Sequence, residues 1–405
     1  MKKVFAHSFF LFLFVSYLAY AECGDDLCGA GENTTSCPAG CKEPVKASEE
    51  RIVSRGPEIR ASNGKLGILV ASVAIENGSA ILRFTVLNQD GREIFNKDIL
   101  ARPLTGKGDL GNPHPIQGPD GTIYIAFRDH LRDDPGIPIF RLRVVSSTDG
   151  GHNWNFLKEN SDSDGVIDID HTGVWEPFLF FDANNDLRVV YAKERSAKLC
   201  LKQHNKKQDI VTKVSTDHGR TWVSETVAAS EGVSRDGVPS VSRLKDGSYV
   251  LIFESWRVSA CGNANPHLLI RSMQSRDGVS WSKRSIVFDP PANLESPSIA
   301  TWPFVSTLSD GRVIASFTSN YLNPNGGTDA PMAPEVRKDF DTFLLLSNGG
   351  PGFDKLVWDQ HSLTRAFSFS RDSAHTNRYS SLAPVGPNAF MVFSGQPGRF
   401  VIFNY

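Results

Sequence analysis

The chain has 405 residues, with 43 Lys and Arg against 45 Asp and Glu, and a formal net charge of −2. This balance leaves no basic surface for tracking phosphates and argues against a nucleic-acid partner. The 34 Gly, 23 Pro and 26 Phe residues favour many short strands joined by tight turns.

The first 21 residues are predicted to be a secretory signal peptide. Lys2 and Lys3 precede an apolar run over residues 9–20, and residues 19–21 read Ala-Tyr-Ala, the A-x-A form of a cleavage site. The alternative is a membrane anchor, which the shortness of the run disfavours. We therefore expect a secreted, extracellular chain with no membrane partner after cleavage.

Residues 22–45 are predicted to form a small disulfide-rich module. They contain Cys23, Cys28, Cys37 and Cys41. So short a segment cannot bury a core, and an oxidising compartment favours disulfides between these thiols. A zinc site is the alternative use of the same four residues.

Three later segments repeat the pattern S-x-D-x-G-x-x-W, the third one residue shorter. They cover residues 147–154, 215–222 and 275–281, and a degenerate copy covers residues 347–353. In such an Asp-box the carboxylate accepts N–H groups of a tight turn and the glycine takes a positive φ. The aspartates Asp149, Asp217 and Asp277 are therefore predicted to stabilise turns rather than to catalyse.

A second motif falls between the Asp-boxes and consists of a proline-led strand, a turn and an apolar strand. Its leading prolines are taken as Pro113, Pro177, Pro239 and Pro297, which are 64, 62 and 58 residues apart. A unit of about sixty residues holds four strands, the content of one propeller blade. Residues 51–405 are therefore predicted to form an all-β, six-bladed β-propeller with Asp-box repeats. Two β-sandwiches are the alternative, although they need no such regular spacing.

The remaining cysteines also follow the repeat. Cys200 and Cys261 precede the Asp-box serines of consecutive repeats by 15 and 14 residues. Equivalent positions in neighbouring blades lie close together, so we predict a disulfide between them. Two free thiols are the alternative, which is less common in a secreted chain.

Polar residues at matching positions of the repeats are expected to surround one mouth of a central channel. Seven residues after the turn of each repeat stand Arg128, Lys193, Glu254 and Thr318. Aromatic residues accompany two carboxylates, since Trp175 precedes Glu176 and Trp256 follows Glu254 by two positions. Aromatic faces beside acids suit a sugar ring, although each charged residue alone is also explained as a solvated rim position.

Several of these segments resemble the sequence pattern of glycoside hydrolase family 93. The resembling segments are residues 109–116, 125–130, 175–179, 234–237 and 253–255. They occur in order within residues 51–405, and the cysteine-rich module lies outside them. The resemblance implies a six-bladed propeller related to the sialidases and a secreted, retaining exo-glycoside hydrolase that releases short arabinose oligomers from α-1,5-arabinan.

The resemblance also implies roles for individual residues. Glu254 would be the nucleophile and Glu176 the acid/base, an assignment that the sequence leaves reversible, and Tyr379 would lie beside the nucleophile. The implied substrate-binding residues are Asn112, Arg128, Asp129, His130, Trp175, Arg235 and Asp236. Asp129 departs from the family pattern, which often has an amide at that position. The implied partner is a polysaccharide or oligosaccharide, and no cofactor or metal is expected.

Two other functions remain open at this point. An exo-sialidase would grip a substrate carboxylate with Arg60, Arg271 and Arg337 and use Tyr379 as the nucleophile. A non-catalytic glycan-binding propeller would use the same fold without turnover.

Overall fold

The computed structural model describes fifteen ranges of the chain. They are residues 44–49, 51–54, 58–104, 108–132, 138–156, 164–196, 206–232, 234–257, 267–282, 284–291, 298–321, 340–348, 352–367, 379–395 and 398–405. All lie in the compact part formed by residues 43–405. The signal peptide, the cysteine-rich module, Cys200 and Cys261 lie outside the described residues, so the disulfides stay predictions.

Antiparallel strands make up nearly all of the regular structure. The strands form six units that follow one another along the chain. Each of the first four has four strands, the fifth has five, and the sixth is completed by N-terminal strands. The first unit comprises β3 (Glu58–Gly64), β4 (Gly67–Glu76), β5 (Ser79–Leu87) and β6 (Glu93–Pro103). The second comprises β7 (Gly108–Gln117), β8 (Ile123–Arg132), β9 (Pro138–Ser147) and β10 (Val166–Asp170). The third comprises β11 (Val174–Phe181), β12 (Leu187–Ser196), β13 (Lys206–Ser215) and β14 (Val223–Ala229).

The remaining three units follow the same plan. The fourth comprises β15 (Arg235–Arg243), β16 (Tyr249–Arg257), β17 (His267–Ser275) and β18 (Ser285–Phe288). The fifth comprises β19 (Ser298–Thr307), β20 (Val313–Ser319), β21 (Asp341–Asn348), β22 (Val357–Trp358) and β23 (Thr364–Phe367), with a short 3-10 helix at Gln360–Ser362. The sixth comprises β24 (Ser381–Pro384), β25 (Ala389–Ser394) and β26 (Gly398–Asn404). Within the described ranges, no helix is long and apolar enough to cross a bilayer.

The sixth unit is completed by the beginning of the described chain. Strands β1 (Val45–Lys46) and β2 (Arg51–Ser54) both pair antiparallel with β26. The first strands of the six units, β3, β7, β11, β15, β19 and β24, contact one another in cyclic order, with β24 against β3. Their apolar faces form core clusters that join neighbouring units. The result is an all-β, propeller-like arrangement whose innermost strands surround a common axis.

The second strand of a unit is buried on both faces, which explains its continuous apolar sequence. In β16 the residues from Tyr249 to Phe253 are all nearly inaccessible. Continuous apolar runs of this length are typical of strands packed on both sides. Polar residues appear only in the last part of the strand, beginning with Glu254 and Ser255.

Four of the units share one turn between their first and second strands. A residue with positive φ occupies the same turn position in each, namely Gly121, Asn185, Gly247 and Gly311. Lys193 therefore does not hold the predicted matching position, since seven residues after Asn185 stands Ala192. Ala192 pairs with Trp175, whereas Lys193 lies on the opposite side of β12 and contacts Asp168 with its ammonium 2.7 Å from Oδ2.

The three Asp-box segments form closely similar turns after the third strands of their units. In the third unit, Ser215 donates to Asp217 over 2.8 Å, and Asp217 accepts the N–H of Thr221 over 2.8 Å. Gly219 has a φ of 83°, and the Trp222 indole donates to its carbonyl. The Asp149 and Asp277 turns repeat the serine-to-aspartate bond at the same distance. These aspartates are saturated by their own turns.

Candidate functional site

The first strands of four units each contain a bulge at an X-Pro pair. The residue before the proline has a positive φ in every case, with values of 48° at Asn112, 55° at Glu176, 49° at Val238 and 51° at Trp302. Strand pairing shifts register at each of these points. A positive φ is unfavourable for a side chain with a Cβ, and proline restricts the preceding residue further. Such strained positions concentrate at functional sites.

The repeat of X-Pro bulges corrects one sequence prediction. The proline equivalent to Pro113, Pro177 and Pro239 is Pro303, and Pro297 lies outside the described residues. The predicted spacing of 58 residues between the last two leading prolines is therefore wrong, because the fifth unit begins its motif at Pro303. The same error concealed Trp302, the counterpart of Glu176.

At three of the four bulges, the backbone N–H of the residue before the proline donates to a carboxylate of the preceding unit. The Val238 N–H donates to Glu176 Oε2 over 2.8 Å. The Trp302 N–H donates to Glu254 Oε2 over 3.1 Å, and the Thr301 hydroxyl donates to the same oxygen. Both donors bind Oε2, so Glu254 Oε1 accepts neither of these two hydrogen bonds. The bulges thus orient carboxylates as well as bending the strands.

The third carboxylate held in this way belongs to Glu58, on the first strand of the first unit. Its Oε2 accepts the N–H of Asn112. Neither Glu58 nor Trp302 was predicted from the sequence. In the first unit Pro57 precedes Glu58 and Ile59 follows it, so the order of residue and proline that marks the second to fifth units is absent there.

Gly237 brings the two predicted catalytic carboxylates together. A Cβ built on this glycine would lie 3.3 Å from Glu176 Oε2 and 3.4 Å from Glu254 Oε1. The two oxygens are therefore no more than about 7 Å apart, the sum of those distances, which is a spacing that a glycosidase pair can use. The absence of a side chain at Gly237 leaves the space between them open.

Glu176 is the carboxyl whose protonation is most altered. Burial and, after it, the nearby charge of Glu254 raise its pKa to about 7, against the lowering effects of the Val238 N–H, Arg128 and Arg60. A carboxyl with this pKa is protonated in a large fraction of molecules near neutral pH. It is suited to give a proton to a leaving group and take one back.

Two arginines approach Glu176 from the first and second units. Arg128 donates to Asn112 Oδ1 over 3.0 Å and lies 2.8 Å from Asp109 Oδ2 and 3.7 Å from Glu58 Oε1. Arg60 is 3% exposed, and its positive charge interacts with the carboxyl group of Glu176. The site therefore combines two carboxyls with positive charge on one side.

Tyr379 has a φ of 56°, like the four residues at the X-Pro bulges, although Ser380 follows it instead of a proline. Its ring centroid is 5.0 Å from that of Trp302. It lies close enough to Arg60 and Arg128 to influence both charges. The structure thus places Tyr379 in the same group as Glu176 and Glu254.

Trp175 and His130 form a wall beside this group. The His130 ring lies 4.8 Å from the Trp175 ring in an edge-on contact, and Nε2 lies 2.9 Å from the Val174 carbonyl oxygen. Arg128 stacks over the Trp175 ring at 5.7 Å. His130 is nearly inaccessible, so it supports Trp175 from behind rather than facing a ligand.

Two predicted substrate-binding carboxylates lie away from the site. Asp129 is fully buried, and its carboxylate accepts from or pairs with Arg102, Arg141 and Arg143. Asp236 is also fully buried and pairs with Arg284 over 2.6 Å. Successive residues of a strand face opposite sides, so Asp129 and Asp236 face away from the side on which Arg128 and Arg235 lie.

Arg235 precedes Asp236 and turns the other way. Its guanidinium lies 3.0 Å from Glu194 Oε1. A Cβ on Gly173 would lie 2.7 Å from Trp175 Nε1 and 2.8 Å from Glu194 Oε2, so Trp175 and Glu194 are neighbours. Arg235 and Glu194 therefore extend the wall formed by Trp175.

No family model and no curated protein sequence matches the chain. Solved structures do match it. A protein of unknown function from Dyadobacter fermentans aligns with a TM-score of 0.59 and 15% identity over 89% of this chain and 99% of that one. An α-L-arabinanase of Penicillium chrysogenum complexed with arabinobiose aligns with a TM-score of 0.53 and 15% identity over 90% and 98%.

A third solved structure is the GH93 α-L-arabinofuranosidase of Fusarium graminearum with arabinobiose. It aligns with a TM-score of 0.53 and 14% identity over 90% of this chain and 98% of that one. At such identities the likeness establishes a shared fold, and function has to be argued from the site itself.

Proposed function

We propose that the chain is a secreted six-bladed β-propeller that hydrolyses α-1,5-arabinan from chain ends with retention of configuration. The observation that carries the proposal is the pairing of Glu176 and Glu254 beside Gly237. One carboxyl has a pKa of about 7, and the other is held by an N–H and a hydroxyl that stabilise negative charge. Two carboxyls with such different surroundings are the requirement for acid and nucleophile.

In the proposed mechanism, Glu254 Oε1 attacks the anomeric carbon as the glycosidic bond breaks. Glu176 donates its proton to the departing oxygen, and a covalent glycosyl-enzyme forms at Glu254. Glu176 then takes a proton from water, whose oxygen displaces Glu254. The carboxyl groups of such a pair are expected to be about 5–5.5 Å apart.

The wall formed by Trp175 supports a carbohydrate ligand, because an aromatic face packs against the C–H groups of a sugar ring. Two solved structures that share the fold hold arabinobiose, which agrees with the family resemblance of the sequence. The arrangement supports a sialidase less well. Arg271, one member of the predicted trio, lies opposite the core residue Phe253, not opposite Glu254, in the strand pairing of β16 with β17. Arg337 lies outside the described residues.

The test is product analysis on debranched arabinan, with sialyl-lactose as the control substrate. Wild-type protein is expected to release short arabinose oligomers and no sialic acid. Glu176→Gln and Glu254→Gln are each expected to abolish release, whereas Glu76→Gln is expected to leave it unchanged because Glu76 pairs with the part-exposed Arg83, which takes part in none of the contacts described above. Full activity in both catalytic variants would overturn the hydrolase and favour a glycan-binding propeller.

A further inference from the structure

Arg60 carries a buried hydrogen-bond donor for which the described part of the chain supplies no acceptor. The residue is 3% exposed, and among the described residues nothing accepts a hydrogen bond from its Nη1. A buried guanidinium with an unpaired N–H is unfavourable unless something else supplies an acceptor. The position can therefore take an acceptor from outside the described residues, such as a water or a ligand oxygen.

The neighbouring Arg128 has both of its terminal nitrogens engaged, although no described residue accepts a hydrogen bond from its Nε. Arg128 has the Asn112 side-chain oxygen at 3.0 Å, the Asp109 carboxylate at 2.8 Å and the Glu58 carboxylate at 3.7 Å. Arg60 lies beside the same carboxylate, yet no described residue accepts a hydrogen bond from its Nη1. The two arginines thus differ at their terminal nitrogens, since those of Arg128 are both engaged and Nη1 of Arg60 is not.

The surroundings of Arg60 place this capacity at the reacting centre. The charges that act most strongly on Arg60 belong to Glu176 and Glu58, followed by Tyr379. Glu176 and Tyr379 belong to the catalytic group described above. A ligand atom that meets Arg60 Nη1 therefore belongs to the sugar whose bond is broken.

We propose that Arg60 Nη1 donates to a ring hydroxyl oxygen of the sugar at the cleaved bond, and that this sugar is uncharged. The inference rests on the proposed function and specifies the substrate class of the same site. Carboxylate recognition uses convergent, bidentate arginines. Here the second guanidinium is already engaged by Asp109 and Asn112.

The charges around Arg60 also favour a neutral ligand. A substrate carboxylate at Nη1 would enter a region that already contains Glu58 and the Glu176–Glu254 pair. Like charges at short range are repulsive in a site of low dielectric. A hydroxyl group supplies the missing acceptor without adding charge.

The test is a double-mutant cycle between the protein and the sugar. The substrates are 4-nitrophenyl arabinofuranoside or arabinobioside, whichever wild-type protein cleaves, and the forms that lack the 2- or 3-hydroxyl of the ring at the cleaved bond. Arg60→Gln is expected to lower kcat/KM about 10- to 100-fold on the parent substrate, as loss of a charged hydrogen bond does. On one of the two deoxy substrates, Arg60→Gln and wild type are expected to be nearly equal.

Arg83→Gln is the matched control, because Arg83 forms its ion pairs on the surface with Glu76 and Asp98. It is expected to behave as wild type on every substrate. The melting temperature of Arg60→Gln is expected to stay level or rise, since the change removes an unpaired buried charge. An equal loss on the parent and both deoxy substrates, or hydrolysis of a sialoside that Arg60→Gln abolishes, would overturn the inference.

Binding separates this inference from the proposed hydrolysis. If wild-type protein cleaves no arabinoside, the proposed function fails, and calorimetric titration with arabinobiose takes the place of kinetics. Binding to wild type that weakens at least tenfold in Arg60→Gln would still support the role of Arg60. Equal binding by both proteins, or no binding by either, would refute it.

Discussion

The two ends of each unit hold their turns in different ways. At the Asp-box end, as in Ser147 to Trp154, the hydrogen bonds join residues two to four positions apart and the positive φ values fall on Gly150 and Gly151, although His218 takes the first of these positions in the Asp217 box. At the site end, positive φ falls on Asn112, Glu176, Val238 and Trp302, and their partners are 48 to 62 residues distant where a carboxylate accepts.

This difference indicates where the fold stabilises itself and where it holds a strained site. A glycine adopts a positive φ without steric cost, whereas a residue with a side chain does so only when the surrounding structure enforces it. At the strained positions, hydrogen bonds from the backbone N–H groups to carboxylates of another unit offset this cost. Changes at the site end are therefore expected to alter turnover, and changes at the Asp-box end to alter stability.

The largest effect is expected from removing the nucleophile. Glu254→Gln should lower kcat by about four orders of magnitude or more on every substrate, because no covalent intermediate can form. Glu176→Gln should be least harmful on aryl glycosides with good leaving groups, which need little protonation. Tyr379→Phe should cost less than Glu254→Gln. Steady-state kinetics on a leaving-group series measures all three, and a Tyr379→Phe loss equal to that of Glu254→Gln would favour a tyrosine nucleophile.

Filling the space between the carboxylates should have the next largest effect. Gly237→Ala places a methyl group 3.3 Å from Glu176 Oε2 and 3.4 Å from Glu254 Oε1, so the pair must move by tenths of an ångström. A misplacement of about 1 Å can cost about 100-fold in rate, so this smaller displacement is expected to cost between about 10- and 100-fold. Gly232→Ala is the matched control, because its new Cβ would have no atom within 4 Å. A wild-type kcat for Gly237→Ala would show that the two carboxyls do not act together.

A smaller loss is expected when Glu254 keeps its charge but loses one donor. Thr301→Val removes the hydroxyl that donates to Glu254 Oε2 and leaves the Trp302 N–H in place. The expected loss is about tenfold in kcat with little change in KM, the effect of one hydrogen bond to a charged group. Thr301→Ser should restore activity. If Val and Ser variants are equally impaired, packing at Thr301 matters rather than its hydroxyl.

The sequence predicted the repeating parts of the molecule well where the signal was local. Ser215, Asp217 and Gly219 form their turn at the spacing that the pattern implies. Single-residue offsets caused the errors. Taking Asp186 in place of Asn185 moved the expected site position from Ala192 to Lys193, which faces the other side of its strand.

The candidate site was predicted only in part for the same reason. Glu176, Glu254 and Tyr379 lie in one group, and their catalytic roles stay a proposal, whereas Asp129 and Asp236 turn inward to arginines. Strand alternation decides between the two faces, and the bulges interrupt that alternation. The contacts of Glu58 and Thr301 depend on neighbouring units, so no local pattern indicated them.

The pH dependence of turnover should follow Glu176. Its pKa of about 7, raised by burial and by Glu254, predicts that kcat/KM falls about tenfold per pH unit above neutral pH as the acid loses its proton. The folded pKa lies above the usual 4.5, so the stability associated with this group is present at low pH and declines as pH rises through 7. Kinetic profiles and melting curves measure both. An unchanged basic limb in Glu176→Gln, measured on an activated aryl substrate, would assign that limb to another group.

The smallest effect on turnover is expected at the Asp-box end. Asp217→Ala removes the acceptor for the Thr221 N–H and hydroxyl and the Ser215 hydroxyl. The unfolding free energy should fall by about 1 kcal/mol, the net value of such a cap, with kcat unchanged. Burial opposes the shift, but the bonds from Thr221 lower the Asp217 pKa from 3.8, so the stability difference from wild type should shrink as pH falls below that value. Urea unfolding at pH 7 and pH 3, alongside kcat at pH 6, measures this. A loss of kcat at unchanged stability would contradict the division between the two ends, because a turn residue would then be acting on the site rather than on the fold.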